Sequence, residues 1–192
     1  MSGKKSGPGI DRRAARTRRL LHQALMELII RKDYESITVQ DLLDEADVGR
    51  STFYAHYAGK DELLRRGFEQ LRAELQASIA DGKSSDNSPP LAFSLAMFAH
   101  ADRFKVIYRA LVGSRGNAIV LAEIRRVLLE LLQPELELIA DEELPRELTG
   151  RYLVDAFQSV LTWWLERRPE LTPVSVDALF RRLVVPSLTR GA

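Results

Sequence analysis

Within seven residues the chain gathers Arg50, Ser51, Thr52, Tyr54 and His56. Together they offer a guanidinium fork, three hydroxyls, an imidazole and an aromatic plate. These groups suit recognition: donors and acceptors pointing largely away from the core on a helix narrow enough to enter a DNA major groove.

The residues that must position this face surround it. Thr38 opens a helix, and Asp41, three residues later, reaches back to the free backbone N–H groups as in a capping box. Leu42, Leu43 and Ala46 give that helix its apolar side. Asp47-Val48-Gly49 makes a tight turn, in which Gly49 is expected to take the positive φ of a sharp helix–helix corner. A second helix starts at Arg50 or Ser51. Phe53 and Tyr57, four apart, point toward the core and leave the polar residues facing out.

Apolar periodicity predicts helix through the rest of the chain. Residues 11–32 carry Leu21, Leu25 and Leu28 as an inner stripe, with Leu20, Ala24 and Ile29 beside it. After a loop at 33–36, Ile37 plugs the small core. Asp61-Glu62 puts negative charge where a helix N-terminus favours it, and that helix continues with Leu64, Phe68, Leu71 and Leu75 to about residue 80. Residues 81–90 are rich in Gly, Ser, Asp, Asn and Pro and read as a linker. Further helices are expected over 91–101, 102–112 and 117–133, with Pro134 ending or kinking the last of these before a further turn. Two long ones follow, 146–168 and 174–188. No strand pattern of useful length and no internal repeat is seen. The fold class is all-α: residues 1–10 a disordered basic tail, 11–66 a three-helix helix-turn-helix domain, and 67–192 a larger helical domain.

Composition narrows the function classes. The 192 residues are 45% hydrophobic and include no cysteine, which excludes disulfides and thiolate metal sites. No apolar run suits a signal peptide or a membrane span, so a soluble cytoplasmic protein with no membrane partner is expected. The net charge of +1 says nothing about partners, but its distribution does. Lys4, Lys5, Arg12, Arg13, Arg16, Arg18 and Arg19 stand against Asp11 alone, a basic arm suited to phosphates or simply a solvated tail. Enzyme chemistry finds little support. Gly113-Ser114-Arg115-Gly116 is not a nucleophile elbow, because Val112 stands where that turn needs glycine. There is no dinucleotide fingerprint, phosphate-cradling loop or His-Glu-x-x-His. The three histidines, His22, His56 and His100, lie far apart in sequence. No catalytic residue, metal or cofactor is expected.

The last two helices have apolar stripes wider than one buried face requires. Phe157, Leu161, Trp164, Phe180, Leu183 and Val184 are therefore expected at a two-fold interface between copies of the chain; the other reading is that both are central helices in a monomer's core. His100, Arg103, Tyr108, Asp155, Gln158 and Trp163 are polar or aromatic residues on otherwise apolar stretches, and are the candidates for a small-molecule pocket; the other reading of each is a core-edge, salt-bridged or dimer-interface residue. Trp163 and Trp164 point about 100° apart on one helix, so one is expected to face a pocket or the core and the other a partner.

Taken together, residues 17–68 resemble the TetR family of transcriptional regulators. The resemblance is carried by Ile37-Thr38-Val39-x-Asp41-Leu42, then Ala46-x-Val48-Gly49-x-Ser51-Thr52-Phe53-Tyr54-x-His56-Tyr57, then Lys60-Asp61-Glu62-Leu63-Leu64. Most members have Phe at the place of Tyr57 and a non-acidic residue at that of Asp47. The resemblance implies a homodimer on a palindromic double-stranded operator, released by an unidentified small-molecule effector. It also implies DNA contacts from Thr38, Gln40, Arg50, Ser51, Thr52, Tyr54 and His56, with Tyr57 near the phosphates and Lys60 touching one. The chemistry agrees. The Arg50 fork matches guanine O6 and N7. Gln40 can read a base or hold a phosphate, and the hydroxyls suit phosphates. His56 and Lys60 suit backbone positioning. The other readings are that Tyr54 caps the core, that His56 packs and that Lys60 is solvated. A helix-turn-helix protein that organises the chromosome or assists recombination, without a ligand, is the alternative function.

Overall fold

The computed structural model describes residues 8–82, 91–113, 118–139 and 144–188. Nine helices and no strand occur among them. They are α1 (Pro8–Arg31), α2 (Val39–Ala46), α3 (Arg50–Tyr54), α4 (Lys60–Gly82), α5 (Ala92–Arg103), α6 (Lys105–Gly113), α7 (Ala118–Ile139), α8 (Arg146–Arg167) and α9 (Pro173–Leu188), with a 3-10 turn at Tyr34–Ser36. The expected tail at 1–7, the linker at 83–90, the break at 114–117 and the loop at 141–143 lie outside the described residues. Residues 8–10, expected to be disordered, are the first turn of α1. The boundary expected between 66 and 67 falls inside α4, which serves both parts of the chain.

The first core is small. Leu21, Leu25 and Leu28 of α1 meet Tyr34, Ile37, Leu42, Leu43, Phe53, Tyr57 and Leu63, all buried. At five residues α3 is too short to persist alone. Its place is fixed by Phe53, which is fully buried and packs 5.8 Å from the Tyr57 ring and 5.3 Å, edge-on, from Tyr54.

The second core is aromatic. Phe98 of α5 lies 4.5 Å from Phe157 and edge-on to Trp164, and Phe180 of α9 lies 5.6 Å from Phe157. Rings at these separations pack with offset or edge-to-face geometry that strengthens a core. This corrects the interface expectation. Phe157, Leu161, Trp164, Phe180 and Val184 are buried within their own chain, because α8 packs against α6, α7 and α9 at once. The wide stripe is consumed inside the protomer. Of the six expected interface residues only Leu183 faces outward, at 66% exposure.

Leu91 opens α5 at φ 65°, a left-handed conformation rare for a residue with a bulky side chain. Tertiary bonds hold it there. The Glu135 carboxylate on α7 accepts the N–H groups of Leu91 and Ala92, and Arg181 of α9 donates to the Leu91 carbonyl at 3.0 Å. α7 runs through Pro134 to Ile139.

The two cores are joined by α1 and α4. The first half of α4 closes the small core, while its later turns pack on α5 and α7, and α1 also lies on α6. The two helices touch at Gly67 of α4. A Cβ there would sit 2.7 Å from Cε1 of His22 on α1, so a larger residue would require the imidazole to shift.

Candidate nucleic-acid interface

The capping box at the start of α2 is complete. Thr38 Oγ1 accepts the Asp41 N–H at 3.2 Å, and the Asp41 carboxylate accepts the Thr38 N–H at 2.7 Å. Lys32, at the end of α1, pairs with the same carboxylate at 2.7 Å. The Lys32 ammonium and then the Thr38 bonds hold Asp41 well below the usual carboxylate range. One carboxylate thus joins the end of α1 to the start of α2.

The corner between α2 and α3 differs from expectation. Asp47 takes the left-handed conformation (φ 50°, ψ 50°), and Gly49 sits in extended backbone at φ −68°. Asp tolerates this region better than most residues, and the turn is closed by the Val48 N–H donating to the Leu43 carbonyl at 3.1 Å.

From this corner α3 presents Arg50, Ser51, Thr52 and Tyr54, all exposed, Tyr54 at 51%. Gln40 of α2 is exposed beside them and holds Arg50 in place. Arg50 Nη2 donates to Gln40 Oε1 at 2.8 Å, and Gln40 Nε2 donates to Asp44 Oδ1 at 2.7 Å. Arg50 spends one of its five N–H groups on this bond, which leaves the fork able to meet a base edge. His56 is half-buried beside the Tyr57 ring.

Two of the nine expected contact residues are differently engaged. Tyr57 is only 4% exposed, because its four-residue spacing from Phe53 carries it into the core, so its ring offers little surface to a phosphate. Lys60 is turned inward. Its ammonium donates to the carbonyls of Tyr34 (3.0 Å), Glu35 (3.1 Å) and Ile37 (2.7 Å), and lies 4.7 Å from the centre of the Tyr34 ring. All three donors are committed, so Lys60 clamps the connection between α1 and α2 instead of reaching a phosphate. Nothing local in sequence marks this, because the carbonyls lie 23 to 26 residues away.

The pocket candidates divide. His100, Arg103 and Tyr108 line one cavity of about 450 Å³ between α1, α4, α5, α6 and α7. Asp155, Gln158 and Trp163 do not line it. Asp155 is tied to Arg125 in an exposed two-pronged ion pair. Trp163 stands on the outer face of α8 at 39% exposure, with the partner Trp164 indole donating to the Leu171 carbonyl inside the core.

A short, fully anchored helix behind a tight corner, carried on a three-helix core and followed by a larger helical bundle, defines a helix-turn-helix protein. Residues 21–66 match the family model of the bacterial regulatory proteins of the tetR family, and the likeness to that family is carried by this N-terminal domain. Over 67 residues it is 42% identical to the uncharacterized HTH-type transcriptional regulator YxbF of Bacillus subtilis, covering 34% of this chain and 18% of that one. Over 83 residues it is 36% identical to the HTH-type transcriptional regulator TcmR of Streptomyces glaucescens, covering 43% of this chain and 37% of that one. The chain therefore spans well under two thirds of these relatives. The fold extends the likeness. A TetR transcriptional regulator from Streptococcus agalactiae superposes with a TM-score of 0.69 at 27% identity, over 91% of this chain and 96% of that one.

Proposed function

We propose that the protein is a homodimeric, sequence-specific DNA-binding regulator of transcription, acting in the cytoplasm as a repressor released from a palindromic operator by a small molecule. The observation that carries this reading is the outward row Arg50, Ser51, Thr52 and Tyr54 on a helix that Phe53 anchors in the core, with Gln40 pre-orienting Arg50. Such a face pays little ordering entropy on entering a groove. Arg50 reads a guanine, the hydroxyls and Gln40 hold phosphates or bases, and His56 fixes the backbone. The relatives named above are regulators, and the reading assigns the chain no catalysis.

The dimer in this reading uses the outward faces of α8 and α9. Leu148, Tyr152 and Trp163, large exposed apolar side chains, fall on one face of α8, and Leu183 is exposed on α9; exposed apolar patches are interaction surfaces. Two copies joined there present two α3 helices to successive major grooves, about 34–36 Å apart.

Fluorescence anisotropy of the full chain on DNA from beside its own gene, against a scrambled duplex at equal salt, tests the reading. Binding several hundred-fold tighter to the native fragment is expected, just under the ~10³–10⁷ typical of specific sites. Equal, salt-sensitive binding to both defeats the local-regulator reading and favours a chromosome-organising role.

A further inference from the structure

The 450 Å³ cavity has the size of a small-molecule site, and its position is unusual for one meant only for the C-terminal bundle. One wall belongs to α1 of the helix-turn-helix domain, through His22, Met26 and Ile30. The facing walls come from α4, α6 and α7, through Leu71, Ile107 and Ile124.

The inner polar groups are few and neutral, whereas Arg19, Gln23, Glu27, Gln70, Glu74 and Arg103 line the exposed side. His100 Nδ1 is 3.1 Å from the Tyr108 hydroxyl, and that hydroxyl's other neighbour is the weakly accepting Met97 sulfur at 4.0 Å. This leaves His100 Nε2 without a hydrogen bond, and neither ring nitrogen of His22 has one. No polar side-chain atom among the described residues is both buried and unpaired, so these nitrogens are open to solvent-sized space. Burial lowers the pKa of both imidazoles, that of His100 to about 4, and pushes the Tyr108 hydroxyl up, so all three are uncharged at neutral pH. The charged pair Glu74–Arg103 is exposed at the rim, 3.9 Å apart. A charge carried to the inner wall would meet only these neutral groups and the apolar side chains, a cost an apolar occupant avoids.

We propose that this cavity is the receptor site of an uncharged, largely apolar small molecule carrying a hydrogen-bonding group for His22 or His100, and that its α1 wall couples occupancy directly to the helix-turn-helix. This deepens the regulator reading above and rests on it for the coupling. The coupling has a physical seat. His22 rests on α4 at Gly67, where an added methyl group would force the imidazole to shift. The same helix carries Leu21, Leu25 and Leu28 in the core that holds α2 and α3. An occupant that displaces His22, Met26 or Ile30 therefore moves the helix on which the recognition face is mounted. Its effect on DNA affinity equals its preference between the two placements and no more.

The test uses N-phenyl-1-naphthylamine, an uncharged apolar probe with one N–H, and its sulfonated relative 8-anilinonaphthalene-1-sulfonate. The three histidines give three imidazole Cε1–H resonances in the intact chain, assigned with His22→Gln and His100→Gln. The expected result is saturable binding of one uncharged probe per chain, shifting the His22 and His100 resonances while His56, on the far side of the small core, stays still. The sulfonate should bind at least tenfold more weakly. Saturation with His22 and His100 unmoved, equal binding of the sulfonate, or no binding at all overturns the site. For coupling, the native DNA fragment should weaken probe binding by the same factor as the probe weakens DNA binding, and equal probe affinity with and without bound DNA overturns it. A chain that shows the histidine shifts but binds no DNA defeats the regulator reading, and the coupling with it, while the site stands.

Discussion

Lys60 separates two accounts of one residue. As a phosphate contact it would leave the protein's stability alone and supply about 0.9 of the logarithmic salt slope of DNA binding. As the clamp seen in the structure it does the reverse. Its three bonds to the carbonyls of Tyr34, Glu35 and Ile37 are 2.7–3.1 Å long, and the ammonium also lies over the Tyr34 ring. A hydrogen bond from a charged donor contributes about 1.5–3 kcal/mol, and a cation–π contact of this kind roughly 0.5–2. The three bonds share one charge, and water reaches part of the carbonyl edge. The loss in Lys60→Met is therefore about 2–4 kcal/mol, less than the sum of the separate figures. With a urea slope of about 1–3 kcal/mol per M, the unfolding midpoint falls by about 1–2 M. Helix signal in a urea titration reads this, and anisotropy against salt reads the other arm, whose slope should not change. Lys60→Arg should not restore stability, because a planar fork cannot aim three donors at carbonyls gathered round one point. An unmoved urea midpoint together with a salt slope smaller by about one would refute the clamp.

Three further outcomes follow from the geometry. Arg50→Ala should weaken binding to the preferred duplex by about 1–3 kcal/mol and relax one base position, and Gln40→Ala should relax the same position less; a uniform loss across all sequences would mean Arg50 meets only phosphate. Leu183→Glu should give monomers by sedimentation velocity, since Leu183 is the outward apolar residue of α9 nearest its end, and an intact dimer would place the interface elsewhere. For His100, burial, then the nearby Arg103, lowers the folded pKa to about 4, with Glu74 opposing; His22 is shifted the same way. The unfolded chain binds a proton near the ordinary value of 6.5 while the folded one does not. Stability from this source is therefore complete above that pH and is lost as pH falls toward 4, by about 1–3 kcal/mol. His100→Gln should flatten that decline in urea midpoints, and an unchanged decline would assign it to other groups.

Local physics was legible in the sequence, and distant partners were not. Thr38 and Asp41 form the capping box their three-residue spacing requires, and Phe53 and Tyr57 fall on one face because a helix puts them there. The corner was legible as a corner only. Asp47 and Gly49 both accept a left-handed backbone, and closure by the Val48 N–H onto Leu43 decides for Asp47. The wide stripes on α8 and α9 reported how much area is buried, which says nothing about whose surface covers it. The Phe98–Phe157–Phe180 cluster covers it from within. Lys60 and His22 take their roles from residues more than twenty positions away, beyond the reach of periodicity or capping rules.

The unbroken length of α1 has a mechanical consequence. At 24 residues it is a rod of about 36 Å, and the His22–Gly67 seat lies partway along it, 14 residues from Pro8. A stiff rod resting on such a seat transmits angle. A tilt of about 5° there swings the Pro8 end by about 2 Å and the Arg31 end, nine residues the other way, by about 1 Å in the opposite sense. Hydrogen bonds to base edges hold only over a few tenths of an ångström. In the regulator proposed above, the helix is therefore a lever whose travel exceeds the tolerance of the contacts it would move, and a displacement too small to notice at the fulcrum becomes large at the groove.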